Sequence, residues 1–451
     1  MLLKELDVKG LYGSYNYNVK FNDDVTLIYG MNGCGKTTIL NITEAIITGA
    51  VFRLFEYLFT KITLSYSTNS NEEIKKIVIS NKEKVLTVNF NGESENIELI
   101  SFSEREMLAD PDYNDFLRLY FNRYNILCKI KSTFNHAYLP LNRSFNYADE
   151  YELRRFRKNL WRHIKFEEIA SERDIIMYKV EDLIRRKYSD IFSSIGKYND
   201  EFRNEILKSL LTIKESNSLS EVLNEIANKR IEDNEINRIK ENYIKILQQL
   251  NILKNDEEKT YKNFFDGFLK EYNIWKKNKR DLGLPTSLAS QYTEIQRIKK
   301  LVKIAEKTEQ RKNEAYKPID VFVSTINDFI YSEIDQKRIH ITNGEIYFTT
   351  GNNDTKIKIH SLSSGEKQLV IFFASLIFEI QKESTGIFIV DEPELSLHLS
   401  WQKVFIKKAL ETNQNIQLIF ATHSPEIVGK FRDKMYRLEK ESASKESRNY
   451  E

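Results

Sequence analysis

The chain has 451 residues, 41% apolar and 30% charged, with Lys+Arg 68 against Asp+Glu 66. That length predicts two or three domains, the apolar share excludes global disorder, and a net charge of +2 argues against a dedicated nucleic-acid binder while leaving room for a local basic groove. Cys34 and Cys128 are too few for a disulfide framework and fit a reducing compartment. There is no apolar run of membrane-spanning length and no signal-peptide pattern at the N-terminus, so the expected location is cytoplasmic, with no membrane partner.

Residues 1–30 alternate as strands do and end in the apolar run VTLIY. Gly30-Met31-Asn32-Gly33-Cys34-Gly35-Lys36-Thr37 follows, then the helix-forming TILNITEAII. This is the phosphate-binding loop G-x-x-x-x-G-K-[ST] between the strand and the helix it needs. Its glycines let backbone N–H groups face phosphates, and the helix N-terminus adds positive potential. Gly30, Asn32, Gly33, Cys34, Gly35, Lys36, Thr37 and Thr38 are the expected ATP-binding set. Lys36 is aimed at the β- and γ-phosphates, and the Thr37 hydroxyl is a ligand for Mg²⁺.

Residues 60–105 carry short alternating runs broken by Asn91-Gly92, which predicts strands and hairpins. From 141 to 284 there is no proline, and Glu, Lys, Arg, Leu and Ile dominate, so a helical insertion is expected over 141–320. Aromatics interrupt its apolar periodicity, which favours a compact helical body over a long coiled coil. Three basic clusters fall within it: Arg154 to Arg162, Arg185 to Lys187, and Lys276 to Arg280. With Trp161 and Trp275 between them, they make DNA a possible ligand, and protein partners fit the same charged surface.

Strand-like runs return over 337–361 around Asn343-Gly344. Leu362-Ser363-Ser364-Gly365-Glu366-Lys367-Gln368 then opens an apolar helix, both an N-cap with Glu366 in its first turn and an anion site. Next, the strand IFIV runs into Asp391-Glu392-Pro393-Glu394, which sets two carboxylates at the carboxyl edge of a sheet. Asp391 is the second expected Mg²⁺ ligand, and Glu392 the general base for an attacking water. The strand LIFA leads into Thr422-His423-Ser424-Pro425, and residues 438–451 form a polar tail. Strands alternating with helices predict an α/β fold with a parallel sheet plus antiparallel strands, built from lobes 1–140 and 321–437.

Taken together, these motifs resemble the ATP-binding-cassette superfamily, whose LSGGQ signature LSSGEKQ is similar to. The resemblance covers residues 1–60 and 337–437. It implies that Ser363 and Gly365 meet the γ-phosphate of a nucleotide held by another subunit, with Ser364 where many relatives have glycine. It also makes Glu392 the catalytic base and His423 the switch histidine, so the expected catalytic set is Glu392, His423 and Lys36. Leu397-His398 replaces the Leu-Asp of transporters, and DEPELSLH resembles the OLD, RecF and SMC-like branch. Within AYLPLNRSF, Asn142 stands near the place of the Q-loop residue, and Arg143 belongs to a Y-[IL]-P-x-x-R-S motif of that branch.

The stretch between Lys36 and Ser363 is too short for the coiled coil of an SMC protein, and the segment after His423 lacks the acidic clusters of an appended nuclease. The chain is therefore most similar to the stand-alone ATPase subunits of bacterial anti-phage systems such as PARIS or Septu. This resemblance implies a slow ATPase that dimerises head-to-head, or forms a higher homo-oligomer, around two ATP-Mg²⁺ and controls a nuclease or toxin encoded nearby. The alternative is a DNA-repair ATPase of RecF or SMC type that clamps DNA directly.

Overall fold

Leu2–Leu11 buries Leu3, Leu6, Val8 and Leu11, Lys61–Ser67 buries Ile62, Leu64 and Tyr66, and the two strands pair antiparallel. The computed structural model describes residues 1–68, 73–82, 85–98, 120–139, 172–211, 226, 231–249, 253, 257–277, 285–351, 353–380 and 385–442. It divides into two units, residues 1–188 with 318–451, and residues 189–317.

In the first unit an antiparallel sheet of seven strands runs from Glu441–Ser442 through Tyr15–Lys20, Leu2–Leu11, Lys61–Ser67, Lys75–Lys82 and Val85–Phe90 to Glu93–Glu98. A second sheet has five strands, all parallel, in the order Met435–Arg437, Val25–Tyr29, Ile416–Ala421, Gly386–Asp391, Asn135–Leu139. The strands ending in Asp391 and Ala421 are buried along their whole length. That explains the apolar runs Ile387–Val390 and Leu418–Ala421, because a parallel sheet is covered on both faces, while the buried Gln417 amide is satisfied by the Leu3 backbone, accepting its N–H and donating to its carbonyl, each at 2.8 Å. The helix Lys36–Ile47 contributes Ile39, Leu40, Ile42, Ala45, Ile46 and Ile47 to the core shared with the antiparallel sheet.

The Asn-Gly pairs form the expected hairpin turns. Asn91 and Gly92 have φ of 53° and 83°, and Asn343 and Gly344 have 53° and 78°. Left-handed backbone at both positions is what a two-residue turn requires when its twist must match the strands. The three-stranded sheet Arg338–Thr342, Glu345–Thr350, Asn353–Lys358 follows from the second turn. Its last strand starts before KIKIH and ends two residues sooner, at Lys358, because Ile359–Ser361 closes into a 3-10 turn before Ser363.

In the second unit, Asp233–Gln249 and Glu257–Lys277 are helices, as is the part of Thr286–Ile330 that falls within it. Phe265, Phe268, Tyr272 and Trp275 pack against Leu288, Tyr292 and Ile295. Trp275 is thus a core residue and not an open stacking platform, since its three-residue spacing from Tyr272 and seven-residue spacing from Phe268 keep it on the aromatic face of its helix. The clusters at Arg154 to Arg162 and at Lys279 and Arg280, together with Trp161, lie outside the described residues. No described helix is long and apolar enough to cross a membrane.

Candidate functional site

The apolar strand Val25–Tyr29 delivers the glycine-rich loop to the carboxyl edge of the parallel sheet. Gly35 has φ of 103° at the cap of helix Lys36–Ile47, a conformation an L side chain resists, and a Cβ there would stand 3.0 Å from the Tyr17 hydroxyl. That hydroxyl donates to the Cys34 carbonyl at 3.0 Å and so holds the loop from behind. Burial, helped by nearby Cys34, pushes the Tyr17 phenol up to about 12, so it remains a donor at neutral pH. Lys36 is buried, and its ammonium donates to the carbonyls of Gly30 at 3.0 Å and Met31 at 3.4 Å, which folds it over its own loop. Asn32 and Gly33 are exposed at the loop's tip.

Asp391 ends the strand two places from the loop's own, with Ile416–Ala421 between them. The Thr37 hydroxyl donates to Asp391 Oδ2 at 2.7 Å across 354 positions of sequence. Asp391 is 1% exposed, and its Oδ1 is buried with no hydrogen-bond partner. Burial raises this carboxyl above its ordinary value, the Thr37 bond works against the shift, and the neighbouring Glu392 charge adds to it. A dry acceptor oxygen without a donor is costly unless a cation or water meets it. This oxygen beside the Thr37 hydroxyl fits a hard divalent ion. Among the described residues no group of three His, Cys, Asp or Glu could cage a metal.

Glu392 has φ of 47°, uncommon for a residue with a Cβ, and its N–H donates to Ala421 O at 2.8 Å. The strand register therefore continues one step past Asp391 while the side chain is turned out of the sheet. Its Oε1 stands 4.0 Å from His423 Nε2, so the structure brings the expected base and the expected switch histidine together. Glu394 and Gln402, which the motifs did not mark as site residues, both hydrogen-bond to the loop that carries His423.

The Ser363 turn is organised differently. Ser363 caps helix Ser364–Ala374 in a reciprocal capping box: its N–H and hydroxyl donate to Glu366 Oε2 at 2.9 and 2.8 Å, and its hydroxyl oxygen accepts from Glu366 N. Lys337 donates to Glu366 Oε1 at 2.7 Å. Burial alone would raise the Glu366 carboxyl, but Lys337 and the two Ser363 donors outweigh it and hold it below its ordinary value. Gly365 is needed for packing, since a Cβ would sit 2.5 Å from the Ser396 carbonyl and 3.3 Å from the Trp401 ring. These bonds tie Ser363 and Gly365 to their own surroundings and not to the phosphate loop. His398 caps the helix Leu399–Thr412 by accepting from Ser400 N, a role its transporter-type aspartate counterpart could equally fill.

Asn142 and Arg143 lie outside the described residues. The strand leading to them, Asn135–Leu139, pairs parallel with the Asp391 strand, Tyr138 opposite Ile389 and Leu139 opposite Val390. It was not foreseen as a strand because its polar start, Asn135-His136, hides the pattern of a buried edge.

The family model described as an AAA ATPase domain matches residues 1–428, and the chain belongs to that family. Two curated relatives align over shorter stretches. The Retron Vc95 probable ATPase of Vibrio cholerae serotype O1 biovar El Tor is 34% identical over 114 residues, 23% of this chain and 22% of the relative. The Retron Ec83 probable ATPase of Escherichia coli is 27% identical over 128 residues, 26% of this chain and 24% of the relative. The alignments thus span under a quarter of either relative. Among solved structures, the Smc head domain of Pyrococcus furiosus bound to the C-terminal domain of ScpA aligns over 98% of this chain and 96% of that one, at 14% identity and a TM-score of 0.42. The SMC head domain from Thermotoga maritima aligns over 98% of both chains at 12% identity and a TM-score of 0.39.

Proposed function

From that family membership, we propose that this protein binds and slowly hydrolyses ATP as a regulatory ATPase, closing head-to-head with a second copy around two nucleotides. The observation that carries this reading is the Thr37–Asp391 hydrogen bond, which joins the phosphate loop to a buried acidic strand end 354 positions away. In the closed dimer Lys36, with the backbone donors of Gly33 to Thr37, holds the phosphates, and Ser363 and Gly365 of the other copy complete the site. Thr37 and Asp391 hold Mg²⁺, which when bound neutralises developing charge on the phosphates. Glu392 takes a proton from water, and His423, 4.0 Å from it, donates toward the terminal phosphate. ATP then favours the closed state by binding it better than the open one, and hydrolysis reverses that preference.

We place this cycle in cytoplasmic anti-phage defence, controlling a separately encoded nuclease or toxin. Two lines support the assignment: the resemblance of the LSSGEKQ, DEPELSLH and Y-[IL]-P-x-x-R-S segments to such ATPases, and the naming of two partial relatives with retrons. Lys36→Ala should remove ATP binding, whereas Glu392→Gln should keep binding, lower hydrolysis by about 100-fold or more and leave a stable ATP-dependent dimer in light scattering. Hydrolysis by Glu392→Gln at the unmutated rate would sink the reading. Purifying that variant with its neighbouring genes expressed would identify the effector.

A second reading, a DNA clamp, draws on a groove of about 480 Å³ on the three-stranded sheet, lined by Gln336, Arg338, His340, Tyr347, Thr349 and Lys356. ATP-dependent duplex binding with a steep salt dependence would favour it.

A further inference from the structure

We propose that Glu394 is a positioning residue that holds His423 against Glu392 through a closed ring of hydrogen bonds with Thr422, Ser424 and Gln402. The inference rests on the assignment of Glu392 and His423 to hydrolysis.

The ring can be followed atom by atom. Glu394 Oε1 accepts the His423 backbone N–H at 2.6 Å, and Oε2 accepts the Thr422 hydroxyl at 2.8 Å. Thr422 Oγ1 in turn accepts the Ser424 N–H at 3.0 Å. The Ser424 hydroxyl donates to Gln402 Oε1 at 2.6 Å and accepts from the N–H groups of Glu426 and Ile427. Gln402, 8% exposed, closes the ring by donating Nε2 to Leu397 O at 2.9 Å and Glu394 O at 3.4 Å. The ring thus joins the turn after one strand, Gly386–Asp391, to the loop after its parallel neighbour, Ile416–Ala421.

The geometry makes this ring a control on one distance. Glu392 and Glu394 flank Pro393, whose ring fixes φ, so the carboxylate that faces His423 and the carboxylate that holds its backbone sit on one stiff turn. The strand register places Asp391 opposite Ala421, so Thr422 and His423 fall beside that turn. Both His423 and Glu392 are partly exposed, with side chains at 36% and 29%, so neither is fixed by full burial. A carboxylate accepting two donors in this setting forms charge-assisted bonds, stronger than neutral ones, and takes up both donors of the loop at once. Misplacement by about 1 Å is enough to cost a large factor in rate when reacting groups must be oriented. Sheet-type backbone bonds reach as far as Glu392, whose N–H donates to Ala421 O at 2.8 Å, and Thr422, whose N–H donates to Ile28 O at 3.1 Å; the His423 N–H is held instead by the Glu394 carboxylate.

The test compares Glu394→Ala, Glu394→Gln, His423→Ala and the double variant Glu394→Ala/His423→Ala in steady-state ATP hydrolysis. Hydrogen exchange at the His423 amide is followed in the same proteins. Glu394→Ala should lower kcat about tenfold or more with KM for ATP within about twofold, since it alters placement and not phosphate binding. Glu394→Gln keeps a carbonyl for the His423 N–H and should recover most of the rate. The double variant should be no slower than His423→Ala, because two residues acting as one unit are not additive. The His423 amide should exchange about 100-fold faster in Glu394→Ala while Ile419, within the strand, is unchanged.

Full additivity in the double variant, or a loss that falls on KM, would overturn the positioning role. Should Glu394→Ala fail to fold, Thr422→Val removes one arm of the ring while keeping its shape. It should lower kcat about threefold, an effect absent on the His423→Ala background. No hydrolysis by the unmutated protein would overturn the hydrolytic assignment instead. An unchanged His423 exchange rate in Glu394→Ala would overturn the clamp itself, so the two failures are told apart.

Discussion

The phosphate loop and the Ser363 turn are both glycine-containing helix starts, yet they spend their polar groups in different ways. In the loop, Lys36 covers its own carbonyls, and Thr37 reaches Asp391, whose other oxygen has no partner. In the Ser363 turn the cap is closed: Ser363, Glu366 and Lys337 satisfy one another. The contrast teaches that one chain can leave a buried acceptor unpartnered at one helix start and close the other helix start upon itself. On the proposed reading, in which two copies meet around ATP, each surface must survive alone when the copies part, and the closed cap meets that need on one side.

The comparison can be broken at the open side first. Thr37→Val removes the hydroxyl and leaves Asp391 buried with no donor on either oxygen. Hydrolysis should fall about 100-fold, and the folded state should lose about 1–3 kcal/mol, read by ATPase assay and urea unfolding. Thr37→Ser keeps the hydroxyl and should restore most of both. On the closed side, Gly365→Ala drives a methyl to within 2.5 Å of the Ser396 carbonyl and should destabilise by about 1–3 kcal/mol, seen as a lower Tm without loss of nucleotide affinity in the isolated subunit.

Ser363→Ala removes a capping side chain and should cost about 1 kcal/mol in the same unfolding assay. On the proposed head-to-head reading it should also slow hydrolysis, since Ser363 would then complete the other copy's site. Smallest of all is the pH effect of Glu366→Gln. Because the folded protein holds this carboxyl below its ordinary value, its stabilisation is complete above the unfolded value and fades as pH falls through the folded one. The stability gap between the unmutated protein and Glu366→Gln should therefore be greatest at neutral pH and narrow on acidification. A gap that widened in acid would break the account of the closed cap.

Much of this was legible in the chain because the information is local. A phosphate loop needs glycines where the backbone turns left-handed, and Gly33 and Gly35 have φ of 75° and 103°. A buried parallel strand needs a mostly apolar run, which marks Val25–Tyr29, Gly386–Asp391 and Ile416–Ala421. The Asn-Gly hairpins follow from backbone sterics alone.

Other features were hidden because they depend on which strands become neighbours. The sequence could place Asp391 at a strand end but could not say that Thr37 would donate to it, since that depends on strand order. The edge strand Asn135–Leu139 is short and half polar, so only its partner, the Asp391 strand, identifies it. Trp275 beside Lys276 and Lys277 reads as a stacking platform until the structure shows it buried in a core with Phe268, Tyr272 and Tyr292.

The sequence by itself determined the loop, the acidic strand end, the cap and the kind of chemistry they serve, because each is a short pattern bound to one backbone geometry. Only the tertiary structure decided that Glu394 and Gln402 belong with His423, and that Asp391 keeps one dry, unpartnered oxygen. Those facts arise where segments far apart in the chain share a sheet edge, and hydrogen-bond partners there are set by packing and not by spacing.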